Sequence, residues 1–76
     1  MKLTKQELEI LGNIQEGLSD TKSLKTFTEI DWKKIKVLLE KLEKEGLVKI
    51  NKKYDNYYKE DYWQAHLTEK GKKELK

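Results

Sequence analysis

Leu24-Lys25-Thr26-Phe27-Thr28-Glu29-Ile30-Asp31-Trp32-Lys33-Lys34-Ile35-Lys36-Val37-Leu38-Leu39-Glu40-Lys41-Leu42-Glu43-Lys44-Glu45-Gly46-Leu47-Val48 decides how the rest of the chain is read. Ile35, Leu38, Leu39 and Leu42 fall at i, i+3, i+4 and i+7, the apolar face of an amphipathic helix. Two residues can cap it, because Thr28 with Asp31 spells a capping box and Asp31 is itself a good N-cap. Asp31 is the better choice: Ile30 and Ile35 then stand at the spacing of a hydrophobic staple, and the apolar set falls into line. Gly46 ends the helix in the left-handed role, after Lys41 and Lys44 near its negative end. Ahead of the cap, a short helix over about 22–27 buries Leu24 and Phe27. The stretch therefore predicts a short helix, a tight turn, a long helix and the start of a strand, with apolar positions where a helix-turn-helix needs them.

Upstream, Thr4-Lys5-Gln6-Glu7 is a capping-box pattern, with Leu3 and Leu8 as its staple. Leu8, Leu11, Ile14 or Gln15, and Leu18 recur at helical spacing, and Ile10 widens the stripe, so a first helix runs over about 5–16. Gly17 terminates it. Gly12 costs about 1 kcal/mol relative to Ala inside a helix, which predicts close packing against another helix there. Leu18-Ser19-Asp20-Thr21 is turn-and-cap chemistry. Downstream, residues 47–52 alternate as a strand with Val48 and Ile50 inward, and 53–61 are polar, turn-like and tyrosine-rich. Residues 62–67 make a second strand with Trp63, Ala65 and Leu67 on one face, and a short helix starts near Thr68. The expected class is α+β, in the order α-α-α-β-β-α. It forms one domain over 1–76: a helix-turn-helix at about 22–45, a hairpin at about 47–67 and a C-terminal helix at about 68–75.

Charged residues make up 41% of the 76 and hydrophobic residues 36%, so the core is lean and the surface saturated with charge. The apolar residues are periodic rather than scattered, which argues against disorder. The net charge of +3 is unevenly spread: residues 1–31 carry −2 and residues 32–76 carry +5. All 17 basic residues are Lys. Lysine neutralises phosphate but lacks the planar fork that grips guanine in two places. The absence of Arg is read either as A·T-biased coding or as weak discrimination through guanine. There is no Cys, hence no disulfide framework and no thiolate chemistry. No apolar run approaches the ~20 residues of a membrane span, and the start at Met1 lacks the apolar stretch of a leader. A cytoplasmic protein that does not engage the membrane is the expectation.

Leu24, Ile30, Asp31, Ile35, Leu38, Leu39 and Leu42, then Gly46-Leu47-Val48, then Leu67-Thr68-Glu69-Lys70-Gly71, resemble winged helix-turn-helix transcriptional regulators, broadly the MarR-like and PadR-like group. The resemblance covers about Leu3 to Leu75. It implies a three-helix core, a two-stranded β-hairpin wing, and double-stranded DNA as partner. Three departures stand out. Glu29 occupies the turn where such motifs often have Gly, which predicts a looser or longer turn. Asp55-Asn56-Tyr57 stands where MarR-like wings often have Asp-x-Arg. The last helix stops almost at once, at Lys76, whereas those families usually dimerise through longer terminal helices, so a homodimer here would use the first helix.

The resemblance makes the third helix the recognition helix, and the residues pointing away from its apolar face the candidate DNA contacts: Lys33, Lys34, Lys36, Val37 and Lys41. Lys33, Lys34 and Lys36 can neutralise phosphates or reach guanine acceptors, and Val37 can touch a thymine methyl. The plain alternative is a solvated helix face rich in a good helix former. Glu40, Glu43 and Glu45 are expected to lie clear of the phosphates. Trp32 either packs on Phe27 or lies against the DNA backbone, with partial burial favoured. In the wing, Lys52, Lys53 and Lys59, with Lys49, are candidates for phosphate contact. Tyr57, with Tyr54 and Tyr58, can contact sugar or stack on bases, the alternative being cross-strand aromatic pairs that hold the hairpin. Asn56 can read an adenine edge, but a turn residue is the favoured reading. His66 faces outward without metal partners, and Asp55, Glu60 and Asp61 do not match a calcium loop. No phosphate-cradling loop, nucleophile motif or acid–base carboxylate pair is present, so no cofactor and no enzymatic activity are expected. The reading is a DNA-binding transcriptional regulator. Its rivals are a winged helix used for protein–protein association, suggested by 14 acids and exposed aromatics, and a DNA-binding accessory factor of a mobile element.

Overall fold

Each helix begins on a side-chain cap and two of them end on a glycine, so the element boundaries follow from local chemistry. The structure, a computed structural model, describes residues 3–75; Met1, Lys2 and Lys76 lie outside it, and with them the first residues of the segment read for a leader and the stop expected for the last helix at Lys76. The elements are α1 (Lys5–Gln15), α2 (Thr21–Thr28), α3 (Trp32–Lys44), β1 (Val48–Asp55), β2 (Glu60–Leu67) and α4 (Glu69–Glu74). This is the expected α+β winged helix in the expected order.

α1 opens on the full capping box: Glu7 N donates to Thr4 Oγ1 at 3.2 Å, and Thr4 N donates to Glu7 Oε1 at 3.1 Å. Its buried stripe is Glu7, Ile10, Leu11 and Ile14, displaced from the expected one. Glu7 holds the inner position that the periodicity gave to Leu8, and Leu8 is 41% exposed. The expected close packing at Gly12 is also absent, since an added Cβ there meets nothing within 4 Å.

α2 is capped by Asp20, which accepts from Ser23 N at 2.7 Å. Thr21 and Leu24 are buried and Thr28 half-buried, which fixes the inward face at i, i+3 and i+7. Phe27, expected in the core, is 62% exposed. At about 100° per residue, the position before Thr28 is turned to the shoulder of the helix. The turn after α2 is tight rather than loose, contrary to expectation. Glu29 itself takes the left-handed conformation (φ 59°, ψ 18°), and its N–H donates to Lys25 O at 3.0 Å. Thr28 stays within α2, its Oγ1 donating to Leu24 O and accepting from Ile30 N.

Asp31 caps α3, accepting from Lys33 N at 3.2 Å. Ile35, Leu39 and Leu42 are fully buried, and Leu38 packs against the same core from a half-buried position. At the far end, Leu47 N donates to Leu42 O and Gly46 N to Glu43 O, both at 2.9 Å, with Gly46 at φ 80°. These two bonds are a Schellman motif, sealed by contact-prone Leu42 and Leu47, both without solvent exposure. The start of α4 clamps onto this turn. Thr68 N donates to Leu47 O at 3.0 Å, Thr68 Oγ1 donates to Gly46 O at 2.6 Å, and the same hydroxyl accepts from Gly71 N at 3.1 Å. A Cβ on residue 71 would lie 2.1 Å from Leu47 O, so only Gly fits there. The Leu67–Gly71 motif is thus a lock between the wing's exit and the end of α3.

The hairpin spans the expected stretch, but its strands are longer and its turn shorter than the sequence suggests. β1 and β2 pair antiparallel from Val48↔Leu67 to Asp55↔Glu60, leaving only residues 56–59 as the turn. Residues 52–55 and 60–61 carry no apolar alternation because both faces of the outer ladder meet solvent, so period gave no strand signal there. Asp55 Oδ1 organises the turn by accepting from Tyr57 N (2.8 Å) and Tyr58 N (3.1 Å). The inner face holds Val48, Ile50, Trp63, Ala65 and Leu67 against the helices, as expected. The segment read as turn and cap also extends the sheet. Asp20 bridges Gln64, Ala65 N donates to Ser19 O at 2.8 Å, and Trp63 N donates to the buried Thr21 Oγ1 at 3.2 Å. A one-residue bridge has no period to betray it.

Candidate nucleic-acid interface

With Ile35, Leu39 and Leu42 committed to the core, the rest of α3 divides into three edges by helical spacing. Lys33, Val37, Glu40 and Lys44 form the outermost stripe, all exposed, Val37 at 64%. Glu40, expected to lie clear of the phosphates, shares this stripe with Lys33 and Val37. Basic character is therefore concentrated in the first two turns, which carry Lys33, Lys34 and Lys36 and no acid beyond the Asp31 cap; Glu40, one turn on from Lys36, is the first that follows.

The edge toward the hairpin carries Trp32, Lys36 and Glu43. Glu43 Oε2 accepts from Ile50 N at 2.8 Å, tying α3 to β1. The Lys36 ammonium lies 4.4 Å from the Trp32 ring centroid and 5.1 Å from that of Trp63, and Lys52 lies 5.0 Å from Trp63 on the other strand. Lys36 is accordingly half-buried, a bridge between helix and wing rather than a free arm. Trp32 is half-buried too, as favoured from sequence.

On the opposite edge, Lys41 reaches α1. Its Nζ lies 3.5 Å from Glu7 Oε1, while Glu7 is only 1% exposed and its second oxygen has no partner among the described residues. Burial pushes the Glu7 carboxyl up. Hydrogen bonds from Thr4 and the Lys41 ammonium pull it down further, leaving it below its ordinary value.

Lys36, Lys52 and Lys53 are brought together around a recess of about 340 Å³ with Tyr54, Asp61 and Trp63. A second recess of about 650 Å³ adjoins it, lined by Lys22, Lys25, Trp32, Lys36, Tyr58, Glu60 and Asp61. Lys36 and Asp61 belong to both, so the two form one trough between the helix-turn-helix and the wing. Lys33, Lys34, Val37 and Lys41 lie outside it. Tyr57 and Lys59 sit at the wing tip, Tyr57 at 84% exposure and Lys59 at φ 53°.

Lys22 and Lys25 line the trough, and nothing in the sequence marked them. Lys22 makes ion pairs with Glu60 and, at 3.7 Å, with Asp55, and its ammonium lies 4.5 Å from the Tyr58 ring centroid. Its hydrogen bond to Glu60 raises its pKa. Asp55 is held below its ordinary value by the Tyr58 N–H, with Tyr57 N–H and Lys22 adding to the effect. The wing tip is thereby latched to the first turn of α2. No local motif signals this, because its partners are more than thirty residues apart in sequence. Cross-strand aromatic pairing, the alternative offered for the tyrosines, is not what holds the hairpin: Tyr54 faces Asp61 across the ladder, and the paired rings are the neighbours Tyr57 and Tyr58, 4.8 Å apart and edge-on.

Among the described residues no group of three or more His, Cys, Asp or Glu is placed to hold a metal ion, and no helix is long and apolar enough to cross a membrane.

No protein-family model matches the chain, and no curated protein matches it. Among solved structures it is similar to BpsR of Bordetella bronchiseptica, a protein whose DNA binding is regulated by 6-hydroxynicotinic acid. The TM-score is 0.78 at 19% identity, over 97% of this chain and 55% of that one. The chain thus spans little more than half the length of its neighbour, and the likeness is one of fold: a winged helix.

Proposed function

We propose that this chain binds double-stranded DNA, as the DNA-binding part of a transcriptional regulator of broadly MarR-like kind. The observation that carries the reading is the outer face of α3. Lys33, Lys34 and Val37 are exposed on its first two turns, and neither lysine is ion-paired among the described residues. A recognition helix uses its N-terminal residues against base edges in the major groove. Lys33 and Lys34 would neutralise phosphates or reach guanine acceptors, and Val37 would meet a thymine methyl. Lys52, Lys53, Lys59 and Tyr57 on the wing would lie against the neighbouring backbone, with Lys36 positioning the wing beside α3. Lys41, turned to Glu7, would contribute least. A BpsR-like fold in a DNA-binding protein supports the same assignment.

Lys33→Glu replaces an attraction with a repulsion at the helix tip while leaving the core untouched. The expected outcome is loss of duplex affinity by about tenfold or more at constant melting temperature, read by fluorescence anisotropy. Unchanged affinity in Lys33→Glu would remove α3 from the interface. The exposed Phe27 favours a second reading, association with another protein. In that case Phe27→Ser abolishes the association, and the wild-type chain fails to bind duplex at low salt.

A further inference from the structure

Of the three exposed wing tyrosines, the folding of the wing uses one ring, that of Tyr58, against the Lys22 ammonium. Tyr54 lies opposite Asp61 and is 54% exposed. Tyr57 and Tyr58 stand on a turn that uses their backbone N–H groups, both donating to Asp55 Oδ1, and makes no use of Tyr57's ring beyond its contact with Tyr58. Two of these rings, Tyr54 and Tyr58, line the trough between α3 and the wing together with Trp32 and Trp63. The trough is therefore aromatic along its length. It is also basic: Lys25, Lys36, Lys52 and Lys53 line it and make no ion pair among the described residues. Of its two acids, Glu60 is neutralised by Lys22, which leaves Asp61.

We propose that this trough binds a short unpaired segment of single-stranded DNA, its bases stacking on Tyr54, Tyr58 and Trp32 and its phosphates meeting Lys25, Lys36, Lys52 and Lys53. Aromatic faces interleaved with cations along an open groove are the chemistry that holds single strands without sequence preference. A duplex cannot supply it, because the faces of paired bases are already stacked and only their edges reach the grooves. The net positive lining disfavours an apolar or basic protein segment. The site is distinct from the outer stripe of α3 and serves a strand end, a frayed end or a displaced strand rather than the major groove.

Both tryptophans of the chain line the trough, so intrinsic emission reports its occupancy. The test titrates the full chain with an oligothymidylate of about eight nucleotides, within the roughly 4–16 that a single-strand-binding OB fold covers, and separately with a blunt duplex. The proposal expects quenching of tryptophan emission by the oligothymidylate. It expects Tyr54→Ala and Tyr58→Ala each to weaken that binding about fivefold or more, and by more than they weaken duplex binding, with the melting temperature showing both variants folded. Duplex binding without oligothymidylate binding, or oligothymidylate binding indifferent to both substitutions, overturns the trough and leaves the α3 assignment standing. Failure to bind either probe at low salt overturns both.

Discussion

Gly12 and Glu29 are each occupied by the residue type that suits the other. Gly12 lies in the middle of α1 with open space where a Cβ would go, so the conformational freedom it loses on folding is offset by no packing. Gly12→Ala is expected to stabilise the protein by about 1 kcal/mol, a rise of roughly 4–8 °C in melting temperature for a domain of this size. Glu29 holds φ 59° at the end of α2, a conformation costing a non-glycine residue about 1–2 kcal/mol. Glu29→Gly relieves that cost and adds some unfolded-state entropy, for an expected net gain of up to about 1 kcal/mol in thermal or urea melts. Identity alone foretold the Gly12 cost but not the open space around it. It also marked Glu29 as unusual while misjudging the response, because the chain keeps the tight turn and accepts the strain.

At the scale of elements, the helices were legible wherever their apolar faces and caps repeat: Asp31, Ile35, Leu39, Leu42 and Gly46 do what their spacing requires. What escaped the sequence depends on contacts between elements. Phe27 is exposed because Thr21 and Leu24 set the inward direction of α2. The Asp20–Gln64 bridge and the Lys22 latch exist only once the hairpin folds back over α2. The tie between α1 and α3 is of the same kind, and it makes a pH prediction. The Glu7 carboxyl is below its ordinary value in the folded protein, so the unfolded chain takes up a proton there more readily. Its contribution to stability is present above the ordinary carboxylate range and lost as pH falls through the lower folded value. Glu7→Gln keeps the capping-box geometry but removes the titration. Melts over an acid pH series should show a shallower acid limb for Glu7→Gln than for wild type, and equal limbs would show that the carboxylate is not coupled to folding.

The whole molecule separates its charge as it separates its tasks. The first 31 residues, which hold α1 and α2, carry −2, and the remainder, which holds α3, the hairpin and α4, carries +5. Much of that excess stands along the outer turns of α3, the trough and the wing. Composition and charge asymmetry in the sequence pointed to this half of the chain. The trough itself needed the fold, since its lysines and aromatic rings come from α2, α3, both strands and the turn between them. If α3 and the wing engage phosphates, binding must release counterions, and the number released is measurable. The most direct measurement is the affinity for a double-stranded DNA fragment across a series of salt concentrations. Log affinity is expected to fall linearly with log salt, at about 0.9 per phosphate neutralised, with Lys33→Gln reducing the slope by about that amount and Lys41→Gln leaving it nearly unchanged. A slope near zero, or no binding at low salt, would contradict it.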